Sequence, residues 1–76
     1  MAAEEIRALI VAGLPDARVE ITDLAGDGDH YVARVTSASF RGLNSLARTR
    51  AVYAALGGRM GNELHALQLT TAVPEE

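Results

Sequence analysis

Apolar residues recur at helical spacing near the start of the chain. Ile6, Leu9, Ile10 and Leu14 fall at i, i+3, i+4 and i+8 and line one face of a helix within AAEEIRALIVAGLP. Glu4 and Glu5 sit in its first turn, where carboxylates suit the positive end of the helix dipole. Gly13 followed by Pro15 is a stop signal. From about Ala17 to Asp23 the period drops to two: Ala17, Val19 and Ile21 alternate with Arg18, Glu20 and Thr22. That alternation predicts a strand with one buried face. It returns from about His30 to Thr36, where Tyr31, Ala33 and Val35 face inward and His30, Val32, Arg34 and Thr36 face outward. The stretch Ala25-Gly26-Asp27-Gly28-Asp29 between them is rich in turn-forming residues, which predicts an antiparallel hairpin.

Residues 37–44 read as a connector, with Phe40 plugging the core and Gly42 permitting a sharp bend. A second helix follows within FRGLNSLARTRAVYAALGGRM. Leu46, Val52, Tyr53, Leu56 and Met60 fall mostly three and four apart and predict its buried stripe. Ser45 is placed to cap its start, and Gly57 and Gly58 to end it. Arg48 and Arg50 lie beside the stripe and reach solvent, so the helix reads either as a docking surface or as an ordinary solvated helix. The last segment, HALQLTTAV, is a strand in which Leu67, Leu69 and Val73 share parity with His65, and Pro74 ends it. The order α-β-β-(short turn or 3-10)-α-β predicts an α+β fold: one domain, residues 1–76, with a three-stranded sheet and both helices on one face.

Composition narrows the class. A chain of 76 residues with 49% apolar and 22% charged positions is a small globular domain. Such a domain buries only about 60% of its unfolded surface. The chain has no cysteine, which excludes a disulfide framework and a thiolate metal cage built from this chain alone. No apolar run approaches the roughly 18 residues that span a bilayer. MAAEEIRALI carries acids where a signal peptide carries basic residues, so the cytoplasm is the expected location. The charge is polarised. Residues 1–29 hold two arginines against seven carboxylates, residues 30–62 hold five arginines and no carboxylate, and residues 63–76 hold three glutamates. Every cation is arginine, whose planar fork suits carboxylate and phosphate groups.

Chemical motifs are few. Asp23, Ala25, Asp27 and Gly28 can be laid on a calcium-loop template, but its twelfth position falls on Arg34 instead of a bidentate glutamate, so the loop reads as a hairpin turn. Gly58-Arg59-Met60-Gly61 spells the GxxG clamp of KH domains; here it lies at a helix end and leads into a strand, which favours a plain helix terminus. There is no cysteine nucleophile, GxSxG elbow, Walker A loop or HExxH pair, and no enzyme activity is expected. His30 and His65 each open a predicted strand. Taken singly, such histidines are usually surface or structural residues. Neutral imidazole also ligates irons of Rieske-type clusters, but two histidines cannot complete a four-ligand site. A metal role for them therefore implies thiolates from a partner.

The combination Ser39-Phe40-Arg41-Gly42, Leu46-x-Arg48-x-Arg50-x-Val52-Tyr53-x-x-Leu56 and Leu64-His65-Ala66-Leu67, with Thr71 and Pro74 following, resembles the BolA family. The hairpin GDGDHY is similar to the loop of its short, histidine-loop members. The resemblance covers nearly the whole chain and implies a class II KH-like fold. It also implies an adaptor that pairs with a monothiol glutaredoxin and glutathione and shares a [2Fe–2S] cluster with them, in iron–sulfur trafficking and iron homeostasis. On that reading His65 matches the family's C-terminal histidine ligand and His30 its loop position, and the isolated chain binds no cluster. No membrane partner is expected, and the chain alone is expected to be a monomer or a weak homodimer.

Some relatives are described as DNA-binding transcriptional regulators linked to stress responses. In that alternative Arg41, Arg48, Arg50 and Arg59 would contact phosphate or a protein partner. Two departures bear on it. The family's usual Arg-His-Arg is Arg48-Thr49-Arg50 here, and the tail ends at Pro74-Glu75-Glu76 without an aromatic and basic extension. The net charge of −3 and 4% aromatic content also argue against single-strand binding, which relies on stacking platforms.

Overall fold

The computed structural model describes residues 2–24, 26, 30–57 and 66–75. The chain runs through helix α1 (Ala3–Gly13), strands β1 (Arg18–Asp23) and β2 (His30–Thr36), a 3-10 turn (Ala38–Phe40), helix α2 (Ser45–Leu56) and strand β3 (Ala66–Ala72). This is the α+β order expected from the periodicities. The strands lie in the order β1-β2-β3. β1 and β2 are antiparallel, with Val19 opposite Val35 and Ile21 opposite Ala33. β2 and β3 are parallel, with Tyr31 opposite Leu67 and Ala33 opposite Leu69. A parallel pair needs a long crossover, and the 3-10 turn and α2 lie on it.

Parity decides the two faces of the sheet. Tyr31, Ala33 and Val35 are buried on the inner face, where Ile6 and Ile10 of α1 and Val52 and Leu56 of α2 join Phe40, Val19 and Val73 in one core cluster. Both helices therefore pack on the same face. Each fully buried apolar side chain of this size contributes about 1.5–3 kcal/mol relative to an exposed one. The outer face carries the exposed Arg18, Glu20 and Arg34. Phe40 is completely buried, and Gly42 turns the chain behind it with φ +84°.

Three features differ from the sequence reading or extend it. Leu46 is 56% exposed and Tyr53 38% exposed, so neither belongs to the buried stripe of α2. At 3.6 residues per turn they sit roughly 100–120° round the helix from Val52. Ala51 instead packs against the core. The cap of α2 is Asn44, whose side chain accepts from the Ala47 N–H at 2.8 Å, and Ser45 is the first helical residue. Gly13 ends α1, and a Cβ built on it would lie 2.7 Å from the Ala55 Cβ. It thus sits where α1 and α2 approach closely, a role beyond that of a stop signal. Met60 and Gly58 lie outside the described residues, whereas Gly57 closes α2 at φ +66°.

Candidate functional site

The hairpin places His30. Asp23 ends β1, and its Oδ1 accepts from the Gly26 N–H at 2.9 Å, with Gly26 at φ +69°. The Leu24 N–H donates to the His30 carbonyl at 2.8 Å and ties the hairpin at the first residue of β2. This turn chemistry accounts for Asp23, the one described aspartate of the calcium template; Ala25, Asp27 and Gly28 lie outside the described residues. The His30 side chain is exposed and shares the outward parity of Val32, Arg34 and Thr36. Across the sheet His30 is in register with Ala66, the first residue of β3. His65, the residue before Ala66 in the chain, lies outside the described residues.

Of the predicted arginine set, Arg41, Arg48 and Arg50 lie among the described residues. Arg41 follows the 3-10 turn, and its Nε donates to Glu75 Oε1 at 2.8 Å while its Nη2 donates to the same oxygen. A carboxylate at the chain's acidic end thus already engages that guanidinium. Arg48 Nε donates to the Leu43 carbonyl at 2.9 Å and braces the turn before α2. Arg50 is exposed on α2. Arg59 lies outside the described residues, as does the GxxG stretch.

A polar cluster that the sequence reading missed lies between the α1–β1 turn and the end of β2. The Asp16 carboxylate accepts from Ser37 Oγ at 2.9 and 3.0 Å, the Ala38 N–H at 2.8 Å and Ser39 Oγ at 3.2 Å. Ser37 is fully buried; its hydroxyl also accepts from the Ser39 N–H at 3.1 Å, and its own N–H donates to the Ala72 carbonyl at 3.0 Å. Donors aimed at the charged form hold the Asp16 carboxyl below its ordinary value, the Ser37 hydroxyl contributing most. Asp16 thereby caps the 3-10 turn from a distant segment. The Ser37-x-Ser39 spacing was the available signal, but its partner is 21 residues away.

Beside Asp16 a groove of about 400 Å³ opens on the outer face of the sheet, lined by Asp16, Arg18, Glu20, Arg34, Thr36, Val73 and Pro74. The alternation in β1 and β2 had already assigned Arg18, Glu20, Arg34 and Thr36 to one face.

Comparison with known proteins adds identity to this geometry. The family model described as BolA-like protein matches residues 15–76. The chain belongs to the BolA-like family. It is 38% identical to a BolA protein homologue from Coxiella burnetii, covering 99% of this chain and 94% of that one, with a TM-score of 0.83. BolA1 from Arabidopsis thaliana is 29% identical, with 97% and 93% coverage and a TM-score of 0.83. The uncharacterized protein RP812 of Rickettsia prowazekii is 32% identical over 71 residues, 93% of this chain and 92% of its own length. The mixed fold of this BolA-like protein, two helices against a three-stranded sheet, matches those structures. Among its described residues no group of three or more His, Cys, Asp or Glu side chains is placed to hold a metal ion. No described helix is long and apolar enough to cross a membrane.

Proposed function

We propose that this BolA-like protein is a cytoplasmic adaptor, not an enzyme, that pairs with a monothiol glutaredoxin and shares a [2Fe–2S] cluster with it. The observation that carries the reading is the exposed His30 at the start of β2, in register with the residue that follows His65. The donor set is compatible with a shared site. A chain without cysteine offers the imidazole nitrogens of His30 and His65, and glutaredoxin and glutathione thiolates would complete the ligand set. A [2Fe–2S] cluster held there by His30 and His65 with the partner's thiolates would supply cluster-transfer chemistry. This chain's part is to present imidazole, with the hairpin hydrogen bond at Leu24 fixing the backbone of His30. The engagement of Arg41 by Glu75 weakens the competing nucleic-acid reading, because it removes one cation from the proposed phosphate contacts.

The test mixes the protein with cluster-loaded monothiol glutaredoxin and glutathione and records visible absorption and circular dichroism. Wild type should give a spectrum distinct from that of the glutaredoxin alone, and His65→Ala should lose that difference. A His65→Ala spectrum identical to wild type would sink the ligand assignment. A complex that forms with an unchanged cluster spectrum would instead make the chain a metal-free adaptor. His30→Ala, measured separately, decides whether the loop position ligates.

A further inference from the structure

We propose that the outer-face groove between β1 and β2 is a binding site for a small anion, a carboxylate or phosphate group carried on a compact apolar body. The inference is independent of the cluster reading. Its volume of about 400 Å³ falls within the range of roughly 300–1,000 Å³ occupied by small-molecule sites. Its walls divide by chemistry: Arg18 and Arg34 supply guanidinium forks, Thr36 a hydroxyl and Pro74 an apolar ledge.

The groove's four formal charges balance in number, but they are not equally available. Asp16 is taken up by the Ser37 and Ser39 hydroxyls and the Ala38 N–H. Glu20 leans toward Arg18, at a loose 4.0 Å, although its cross-strand neighbour is Arg34. No carboxylate among the described residues is within ion-pair distance of Arg34. Arg18 stands opposite Thr36 and Arg34 opposite Glu20, so the arginines are diagonal neighbours on one face. Such neighbours lie about 7–8 Å apart at Cα, near enough for long side chains to reach one group. Arginine forks bind carboxylate and phosphate oxygens in pairs of parallel hydrogen bonds, which gives the site its preference for planar or tetrahedral oxyanions.

The experiment is an amide-resolved NMR titration of the full chain with three probes: inorganic phosphate, phenyl phosphate and N-benzoylglycine. Saturable shifts should cluster at residues 16–20, 34–37 and 73–75, and the tighter of the two aromatic probes identifies the anion. Arg34→Gln should weaken binding about tenfold or more, the loss expected for a charge-assisted hydrogen-bond pair. Glu20→Gln should tighten it, because a competing carboxylate is removed. Arg7→Gln, on α1 and already paired with Glu4, should leave it unchanged. Three results would overturn the proposal: no saturable shifts, equal affinity in wild type and Arg34→Gln, or an equal loss in Arg7→Gln. The last would mean that general surface charge attracts the probes. All variants alter exposed or half-buried side chains, so each is checked for a native spectrum before titration.

Discussion

Replacing Gly13 with alanine tests the packing of the two helices against the intrinsic preferences of the chain. In an isolated helix the change is favourable by roughly 0.5–1 kcal/mol, because glycine loses more backbone freedom on folding. Here the added Cβ would lie 2.7 Å from the Ala55 Cβ and 3.1 Å from its Cα. Carbon atoms rest at about 3.5–4.0 Å, so the contact falls short by roughly 1 Å. Overpacking of this kind costs about 1–3 kcal/mol. Gly13 is the last residue of α1, so fraying of the terminal turn relieves part of the strain and favours the lower half of that range. The net expectation is a loss of about 1 kcal/mol, or a fall in Tm of about 4–8 °C for a domain of this size. Urea unfolding followed by far-ultraviolet circular dichroism measures it, and Ala55→Gly supplies the second arm of a double-mutant cycle. The pair should show a favourable coupling of about 1 kcal/mol, since Ala55→Gly removes the atom that the new methyl at position 13 would strike. A Gly13→Ala variant as stable as wild type or more so, or strictly additive single effects, would refute the close-approach argument.

Other expectations follow from single contacts. Asn44→Ala should lower stability by about 1 kcal/mol through loss of the α2 cap, whereas Ser45→Ala should stay within about 0.5 kcal/mol; the reverse order in urea midpoints would restore Ser45 as the cap. Phe40→Ala should cost about 3–5 kcal/mol, a large part of the stability of a small domain, and is read as loss of the cooperative thermal transition. Asp16 has a folded-state pKa below its ordinary 3.8, so its contribution is complete above the unfolded value and is lost as pH falls through the folded one. Stability measured from neutral pH down into the acid range should therefore show a steeper acid limb in wild type than in Asp16→Asn, and parallel curves would refute the assignment.

Much of the fold was legible because strand periodicity is robust when one face alone is buried. The outward run His30, Val32, Arg34, Thr36 and the inward run Tyr31, Ala33, Val35 emerged with the observed boundaries of β2. The second helix was harder for a physical reason. Its buried face combines Val52 and Leu56 with the small Ala51 and with Ala55, which meets Gly13 of α1, while the bulky Leu46 and Tyr53 face solvent. Hydrophobicity ranks leucine and tyrosine above alanine, so size misled where closeness of approach mattered. The cap was ambiguous because Asn44 and Ser45 are adjacent and both suitable; only the geometry of the first turn separates them. The Asp16–Ser37–Ser39 cluster was invisible because its members are brought together by the sheet and not by local spacing. Of the candidate site, His30 and the outward arginines could be assigned to a face, but which arginines share a groove depends on strand register, which the alternation alone leaves open.

The division of the sheet into two faces also bears on how the chain can serve two purposes. The inner face is consumed by the helices, so any chemistry offered to a partner or ligand must use the outer face, the helix surfaces or the sheet ends. His30 and Arg34 share the outward parity of β2 four residues apart. At a rise of about 3.3 Å per residue that separates their backbones by roughly 13 Å. The separation exceeds a Debye length at physiological salt, so charge placed in the groove is largely screened from the His30 end when both are exposed. A partner docked at the His30 end and an anion held by Arg18 and Arg34 are then energetically separate unless the partner itself extends along β2 and covers the groove. In that case linkage requires each to change the affinity of the other by the same factor. If both proposals hold, the outer face would act either as two independent sites or as one extended interface, and the extent of the docked partner along β2 would determine which.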